Sequence, residues 1–425
     1  MHTRFIIGVI AAFGLVTLAF EAIGAESPGP DFSTLSRDSR TSSSSREVTI
    51  RLPDGSSVRV GGKAGALIAE GFSLLQGRAT SSVMVPISQS AIGIHRVKPY
   101  DKAISSFTAA LQANRDRNVA FFIYSLRAAA YLGKGQLDKV LVDSSASIQL
   151  NPKYAPAYYY RGIAYSRTGN IGKAISDYTA AIQLDPRYIG AYLNRGVEYS
   201  NKRNYKLALR DATMAIGLNP KYADAYHNRG IYYSEIGEFD KAIADFSQAI
   251  RFNPRSATFN GRATAYEDTD KFDKAIADYD RVIRITPKDA YDPVYRGGAY
   301  FATGNYKAAL SDFEKAVQLS PNDASALASL AWLRATCPES SLRNGKEAIR
   351  MSMRACELSK WKEPAAIFTL AATYAETGDF DQAVKYQTQA MKMKSEYGPV
   401  HKKTRERLAL YQAHKPARSE PLVAR

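Results

Sequence analysis

The sequence predicts an all-α chain organised as a solenoid of antiparallel helix pairs, and three observations carry that expectation. Pro152, Pro186, Pro220, Pro254, Pro287 and Pro321 stand 34, 34, 34, 33 and 34 residues apart, a period at which one supersecondary unit stacks on the next. The same residue types return within each period. With the proline at position 32, position 11 is Tyr131, Tyr165, Tyr199, Tyr233, Tyr266 and Tyr300, and position 20 is Val140, Ala174, Ala208, Ala242, Ala275 and Ala309. Finally, the chain has 425 residues, 45% of them hydrophobic, and so exceeds the roughly 250–300 residues at which a single compact core stops growing.

From the N-terminus, residues 1–25 carry Arg4, sixteen uncharged residues from Phe5 to Phe20, and small residues at Gly24 and Ala25. This is the layout of a signal peptide cleaved near Ala25, which predicts an exported protein, periplasmic or secreted. Sixteen helical residues rise about 24 Å, short of the ~30 Å hydrocarbon core that an uncleaved anchor must span. Residues 26–46 are serine-rich and nearly free of aliphatics, the composition of a disordered linker. In 47–97, Val48, Ile50 and Leu52 alternate before Pro53-Asp54-Gly55, and Val58 and Val60 alternate after it, which predicts a small β-hairpin. A helix around AGALIAEGFSLLQ follows. Residues 98–323 are expected to form the array, one degenerate and six clear units. Residues 324–397 add a unit broken by the insertion CPESSLRN, which moves Ala348 five places past position 20, and one more unit. Residues 398–425 read as a basic capping helix and tail.

Positions 4, 7, 8 and 11 fall three or four apart, so on a helix they form one stripe. Position 15 is glycine at Gly135, Gly169, Gly237, Gly304 and Gly378, suited to the left-handed residue that ends a first helix. Arg203 and Asp270 stand there in two units, and those turns are expected to be less well formed. A second helix follows and stops before the proline. Position 7 is an arginine set into the packing stripe, and each is followed sixteen residues later by an aspartate: Arg127/Asp143, Arg161/Asp177, Arg195/Asp211, Arg229/Asp245, Arg262/Asp278 and Arg296/Asp312. In a hairpin that turns near position 15, positions 7 and 23 are equidistant from the turn and lie opposite each other. A half-buried guanidinium thereby gains a carboxylate partner with bidentate geometry. The ladder is therefore expected to be structural, the competing role being a row of arginines that grips phosphate or acidic peptide.

The pattern of tyrosine at 11, small residues at 8 and 20 and proline at 32 on a 34-residue period resembles the tetratricopeptide-repeat family over residues 121–323. The family usually has leucine at position 7, so the arginines depart from it. The segment running from LAWLRATCPESSLRNGKEAI to RLALYQAHKPAR is similar to a C-terminal module of bacterial proteins of this class. The resemblance implies a right-handed superhelix with first helices on its concave side, and a non-enzymatic scaffold that binds a segment or helix of another protein there. It places positions 5, 9 and 12 on that side, and the partner-binding residues expected on this face are Tyr159, Asn194, His227, Asn228, Asn260 and Phe301. The lysine and asparagine that relatives place at positions 5 and 9 to clamp a terminal carboxylate are absent, which favours an uncharged or amphipathic segment.

Nothing in the residues points to catalysis, a cofactor or a metal. The five histidines, His2, His95, His227, His401 and His414, share no ligand spacing, and there is no phosphate loop or nucleophile elbow. An enzyme activity seated in 47–97, or attachment to an enzyme, is the rival reading. The net charge of +16 admits an anionic surface as partner, whereas the aromatics sit at core spacing and argue against nucleic acid. Export permits a disulfide between Cys337 and Cys356. The helix between them rises about 16 Å against the ~7 Å limit for bridged Cα atoms, so only a folded-back insertion closes the bridge, and both states stay open.

Overall fold

In this computed structural model, which describes residues 35–36, 48–51, 57–60, 62–76, 99–114, 117–393 and 402–419, one 34-residue period is one pair of antiparallel helices. The first helices of the pairs are α1 (Gly62–Gln76), α3 (Arg117–Gly133), α5 (Ala155–Arg167), α7 (Ile189–Asn201), α9 (Ala223–Glu235), α11 (Ser256–Glu267), α13 (Tyr291–Ala302), α15 (Ala324–Thr336) and α17 (Pro364–Glu376). The second helices are α2 (Pro99–Ala113), α4 (Leu137–Leu150), α6 (Ile171–Leu184), α8 (Tyr205–Leu218), α10 (Phe239–Phe252), α12 (Phe272–Ile285), α14 (Tyr306–Leu319), α16 (Gly345–Leu358) and α18 (Phe380–Lys392). A last helix, α19 (Lys402–Gln412), follows. Two compact units divide the chain, an N-terminal one up to Ala225 and a C-terminal one from Tyr226.

Strands β1 (Leu35–Ser36), β2 (Val48–Arg51) and β3 (Ser57–Val60) form an antiparallel sheet in which Val48 faces Val60 and Ile50 faces Val58. β1 lies inside the stretch whose composition reads as a linker. The signal peptide, most of that linker and the Pro53-Asp54-Gly55 turn lie outside the described residues. The helix expected in a separate N-terminal segment is instead the first helix of the first pair: α1 packs on α2, with Ile68, Phe107 and Ile123 buried in one cluster.

Where a proline closes the unit, the second helix stops because that proline constrains the residue before it. Asn151, Asp185, Asn219 and Asn253 are all extended there, with ψ of 93–96°. Close approach within a pair depends on position 8. A Cβ on Gly162 would lie 2.7 Å from the Tyr178 ring, and one on Gly230 2.8 Å from Phe246, so the missing side chain is what admits the aromatic of the second helix.

In each unit the first helices also touch one another, α1 with α3, α3 with α5 and α5 with α7 in the N-terminal unit, and α13 with α15 and α15 with α17 in the C-terminal one. The extensive contacts of the second helices are with first helices. First helices are therefore on the inner side of each unit's curvature.

The turns at Arg203 and Asp270 correct the expectation of poorer form. Both residues take the left-handed conformation, φ 58° and 57°, and close the same bond as the glycine turns. Asn204 N donates to Tyr199 O at 2.8 Å and Lys271 N to Tyr266 O at 2.8 Å, as Asn170 N does to Tyr165 O. The tertiary pairing imposes the turn, and the cost appears as backbone strain of roughly 1–2 kcal/mol per non-glycine residue. Arg203→Gly and Asp270→Gly are each expected to raise stability by about 1 kcal/mol, read as a higher urea midpoint at unchanged slope.

The arginine ladder and the candidate binding face

At the bottom of every clear pair is one fork-to-fork contact. The rungs are Arg127–Asp143, Arg161–Asp177, Arg195–Asp211, Arg229–Asp245, Arg262–Asp278 and Arg296–Asp312, and in all six Nε lies 2.7–2.8 Å from Oδ2 and Nη2 2.6–2.9 Å from Oδ1. The bond to Asp143 raises the pKa of Arg127 above its already high ordinary value, against the opposing effect of burial. The guanidinium carbon is also held between rings. Arg161 lies 5.7 Å from the Tyr158 centroid and 6.0 Å from Tyr165, and Arg195 stands likewise between Tyr192 and Tyr199. These are positions 4 and 11, one turn either side of position 7 on the same stripe.

Enclosure is deeper on the acid side than the sequence suggests. Asp143, Asp177, Asp211, Asp245, Asp278 and Asp312 are all buried, whereas Arg195 is the one buried arginine among their partners. The cause is the small residue at position 8, which lets position 23 sit inside the pair: a Cβ on Gly297 would come within 3.2 Å of Asp312 Cβ. None of the six carboxylates is therefore a surface group that a ligand could meet. With Nε and Nη2 engaged by a buried carboxylate, the arginine forks are not presented to phosphate or acidic peptide, and the competing role is set aside.

Sequence reasoning missed a third partner. The remaining nitrogen, Nη1, reaches the second helix of the preceding pair: Arg127 donates to Thr108 at 3.0 Å, Arg161 to Ser145 at 3.5 Å, Arg195 to Thr179 at 3.0 Å, Arg262 to Ser247 at 3.0 Å and Arg296 to Asp280 at 2.7 Å. Ser145, Thr179, Ser247 and Asp280 all stand at position 25, two residues past the aspartate, and Thr108 stands likewise five residues after Ala103 of α2, as Thr179 does after Ala174. That recurrence of hydroxyl or carboxylate is a signal the spacing already held.

The residues expected to meet a partner are mostly enclosed. Tyr159 and Phe301 are 1% and 2% exposed and His227 and Asn228 are buried too, which corrects their assignment as contact residues. For Tyr159 and His227, at position 5, the reason is the packing of first helix on first helix, while Phe301, at position 12, packs edge-on against Tyr306 of its own second helix. Tyr159 sits among Tyr160, Tyr178 and Tyr188, with its hydroxyl accepting from Asn194 Nδ2 at 3.3 Å. His227 Nδ1 is 3.1 Å from Thr258 Oγ1. Asn260 is half-buried and donates to Asp292 at 3.5 Å. What remains partly open on the inner stripes is uncharged: Asn194, Val197 and Ser200 on α7, Ile231 on α9 and Thr264 on α11.

Tetratricopeptide-repeat models match residues 155–188, 223–256, 262–334 and 364–397. Over those residues the chain carries tetratricopeptide repeats. It is similar to a tetratricopeptide-repeat protein from Parabacteroides merdae, at 21% identity and a TM-score of 0.45 over 63% of this chain and 97% of that one. It is also similar to a thermophilic repeat protein of Thermus thermophilus, at 24% identity and 0.37 over 43% and 100%, and to yeast Tom70, at 14% and 0.40 over 83% and 95%. No curated protein matches the chain.

Proteins of this repeat family mediate protein–protein interactions and are typically non-catalytic. Among the described residues no cluster of His, Cys, Asp or Glu could hold a metal, and no helix is long and apolar enough to cross a membrane. Cys337 and Cys356 are both buried and free, so the bridge that export would permit is not formed. The insertion does fold back: Arg343 Nη1 donates to Cys337 O at 2.8 Å and Pro338 O at 3.1 Å, and Arg334 Nη1 to Leu342 O at 3.2 Å. Those bonds hold the loop in the place of a bridge.

The most enclosed rung is Arg195–Asp211, with side chains 8% and 0% exposed. Arg195→Ala is expected to cost about 3–5 kcal/mol, since it strands a buried carboxylate, while Arg195→Met combined with Asp211→Leu should recover most of the loss in urea unfolding. Additive losses in that cycle would mean that the pair is not an energetic unit.

Glu267, at the end of α11, gives a pH signature. Burial pushes its carboxyl up to about 8, above the ~4.3 of an unfolded chain, so between those values the folded state holds a proton that the unfolded state has lost. Stability is therefore full below about pH 4 and declines as pH rises toward about 8. Glu267→Gln is expected to flatten that decline when unfolding midpoints near about pH 5 and about pH 9 are compared, and an unchanged slope would rule the assignment out.

Proposed function

We propose that this chain is a non-enzymatic scaffold that holds a segment of another protein, extended or helical, against the inner face that first helices form within a unit. It would work in a bacterial envelope after removal of its leader near Ala25. The supporting observation is the contrast along first helices: arginines and tyrosines are committed to the ladder, while the partly open inner positions Asn194, Val197, Ser200, Ile231 and Thr264 carry no charge. Such a surface suits an uncharged or amphipathic segment, with Asn194 as a polar handle and the aliphatics as contact area.

Val197→Glu and Ile231→Glu are expected to reduce capture of the partner from envelope extract several-fold while moving the melting temperature by less than about 2 °C, because both sites are partly open. Mass spectrometry of this chain from the envelope fraction should find its N-terminus close to Glu26, and binding should survive moderate salt. Capture that collapses with salt and ignores both substitutions would assign the partner to the basic surface.

A further inference from the structure

The C-terminal segment does more than cap the last pair. A capping helix needs only to cover α17 and α18, and α19 begins that way, with Tyr411 fully buried in a cluster with Ala371, Ala375 and Ala383 and Thr404 O accepting from Gln387 Nε2 at 2.9 Å. The segment then reaches back to α15, one pair earlier. The Arg407 guanidinium lies 4.6 Å from the Trp332 ring centroid. Ser419 N donates to Thr336 O at 3.0 Å, and the Ser419 and Thr336 hydroxyls are 2.9 Å apart. Trp332 and Thr336 stand at positions 9 and 13 of their unit, so these contacts fall on the inner side, where first helices of successive pairs meet.

The insertion that breaks the 34-residue period shares in this seat. Glu376, at the end of α17, accepts Arg343 of the insertion at 2.8 Å on Oε1 and forms an ion pair with Arg418 of the tail at 2.7 Å through Oε2. One carboxylate thus ties the insertion, the first helix and the tail together.

From 402 to 419 the segment carries six Lys or Arg against one Glu, and α19 spans eleven residues, below the ~12–15 at which an isolated helix holds in water. Its order therefore depends on docking through cation–ring, ion-pair and backbone contacts. The segment is joined to α18 through residues 394–401, a connection that reaches at most about 28 Å, so after release it stays at high effective concentration.

We propose that residues 402–419 are a tethered ligand of the inner face of the last two pairs, and that the face they fill is a receptor for an arginine-bearing amphipathic segment. A partner segment binding there has to place an arginine over Trp332 and another against Glu376, and has to displace the tail. This rests on the reading of the inner face as the binding side, and it locates a distinct site on that side.

The test uses the full chain with Trp361→Phe, which leaves Trp332 as the sole indole, since the sequence has two tryptophans. Adding Arg407→Ala and Arg418→Ala is expected to raise acrylamide quenching of Trp332 several-fold while leaving the melting temperature within about 2 °C, because the pairs beneath keep their packing. A synthetic peptide of residues 402–419 added to that variant should restore shielding saturably, and the same peptide with both arginines replaced should not. In the unaltered chain, amides of 404–419 should exchange at least tenfold faster than those of α17. Unchanged quenching, melting of the unit together with tail release, failure of the peptide to restore shielding, or exchange as slow as in α17 would each overturn the proposal. None of these readouts involves a captured partner, so a failed capture at Val197 and Ile231 leaves them interpretable.

Discussion

The guanidinium at position 7 is the constraint on which the array depends. A repeat that packs through alanine and glycine brings helices close but offers little to choose one register from the next, since small side chains slide past each other at low cost. A planar fork with partners in three directions does choose. Its Nε and Nη2 fix the partner helix of its own pair, Nη1 reaches position 25 of the preceding pair, and the rings at positions 4 and 11 hold its plane. The net energy of such a pair can be small, because desolvation of both charges offsets much of the attraction. Its contribution is to make alternative registers expensive, since any slip leaves a charge buried without its partner. The buried carboxylates at Asp177, Asp245, Asp278 and Asp312 give that penalty its size, because burial largely shields them from solvent.

The inward position of the first helices follows from the same geometry. Position 8 is small enough for the second helix to close in, and the second helix in turn packs between two first helices, so the first helices come into mutual contact. That contact shapes the binding face as much as it supports it. Position 5, which a single helical wheel leaves open, becomes part of the seam between neighbours, and Tyr159 disappears into it, while Phe301, at position 12, is buried against Tyr306. The surface left for a partner is narrower than the wheel suggests: Asn194, Val197 and Ser200 in the N-terminal unit and, separately, Ile231 and Thr264 in the C-terminal one.

Much of this was legible in the residues, and the limits have physical causes. The period, the hairpin turn and the sixteen-residue spacing of Arg195 and Asp211 are local properties of one unit, so the sequence displays them directly. The position-25 acceptors Thr179 and Ser247 were equally visible as a recurrence, but their meaning needs the distance between successive pairs. Burial of Tyr159 depends on that distance too. Arg203 and Asp270 show the opposite case, where local preference is readable and tertiary pairing overrides it. Helix α1 escaped the period because residues 77–98 separate it from α2, which removes the fixed spacing on which repeat detection relies.

The irregular end of the chain completes this logic. The ladder stops at Arg296–Asp312, and in the following units Leu330 and Leu370 occupy position 7, so the last two pairs lack the register device of the others. Two of the arginines that take its place come from outside the repeat pattern. Arg343 from the insertion and Arg418 from the tail converge on Glu376, while Arg334 bridges to Glu314 of α14 at 2.8 Å and accepts Asn344 N on its carbonyl at 2.9 Å. Registration is thus shared between one helix arginine and side chains that belong to the insertion and the terminal segment. A rung built into the helices can be lost only by unfolding the pair, whereas one supplied by a tethered tail can be withdrawn while the pair stays folded. The departure from the repeat at Cys337 and the departure from a simple cap at Arg407 are in this sense one feature, which makes the C-terminal end the part of the array able to change state.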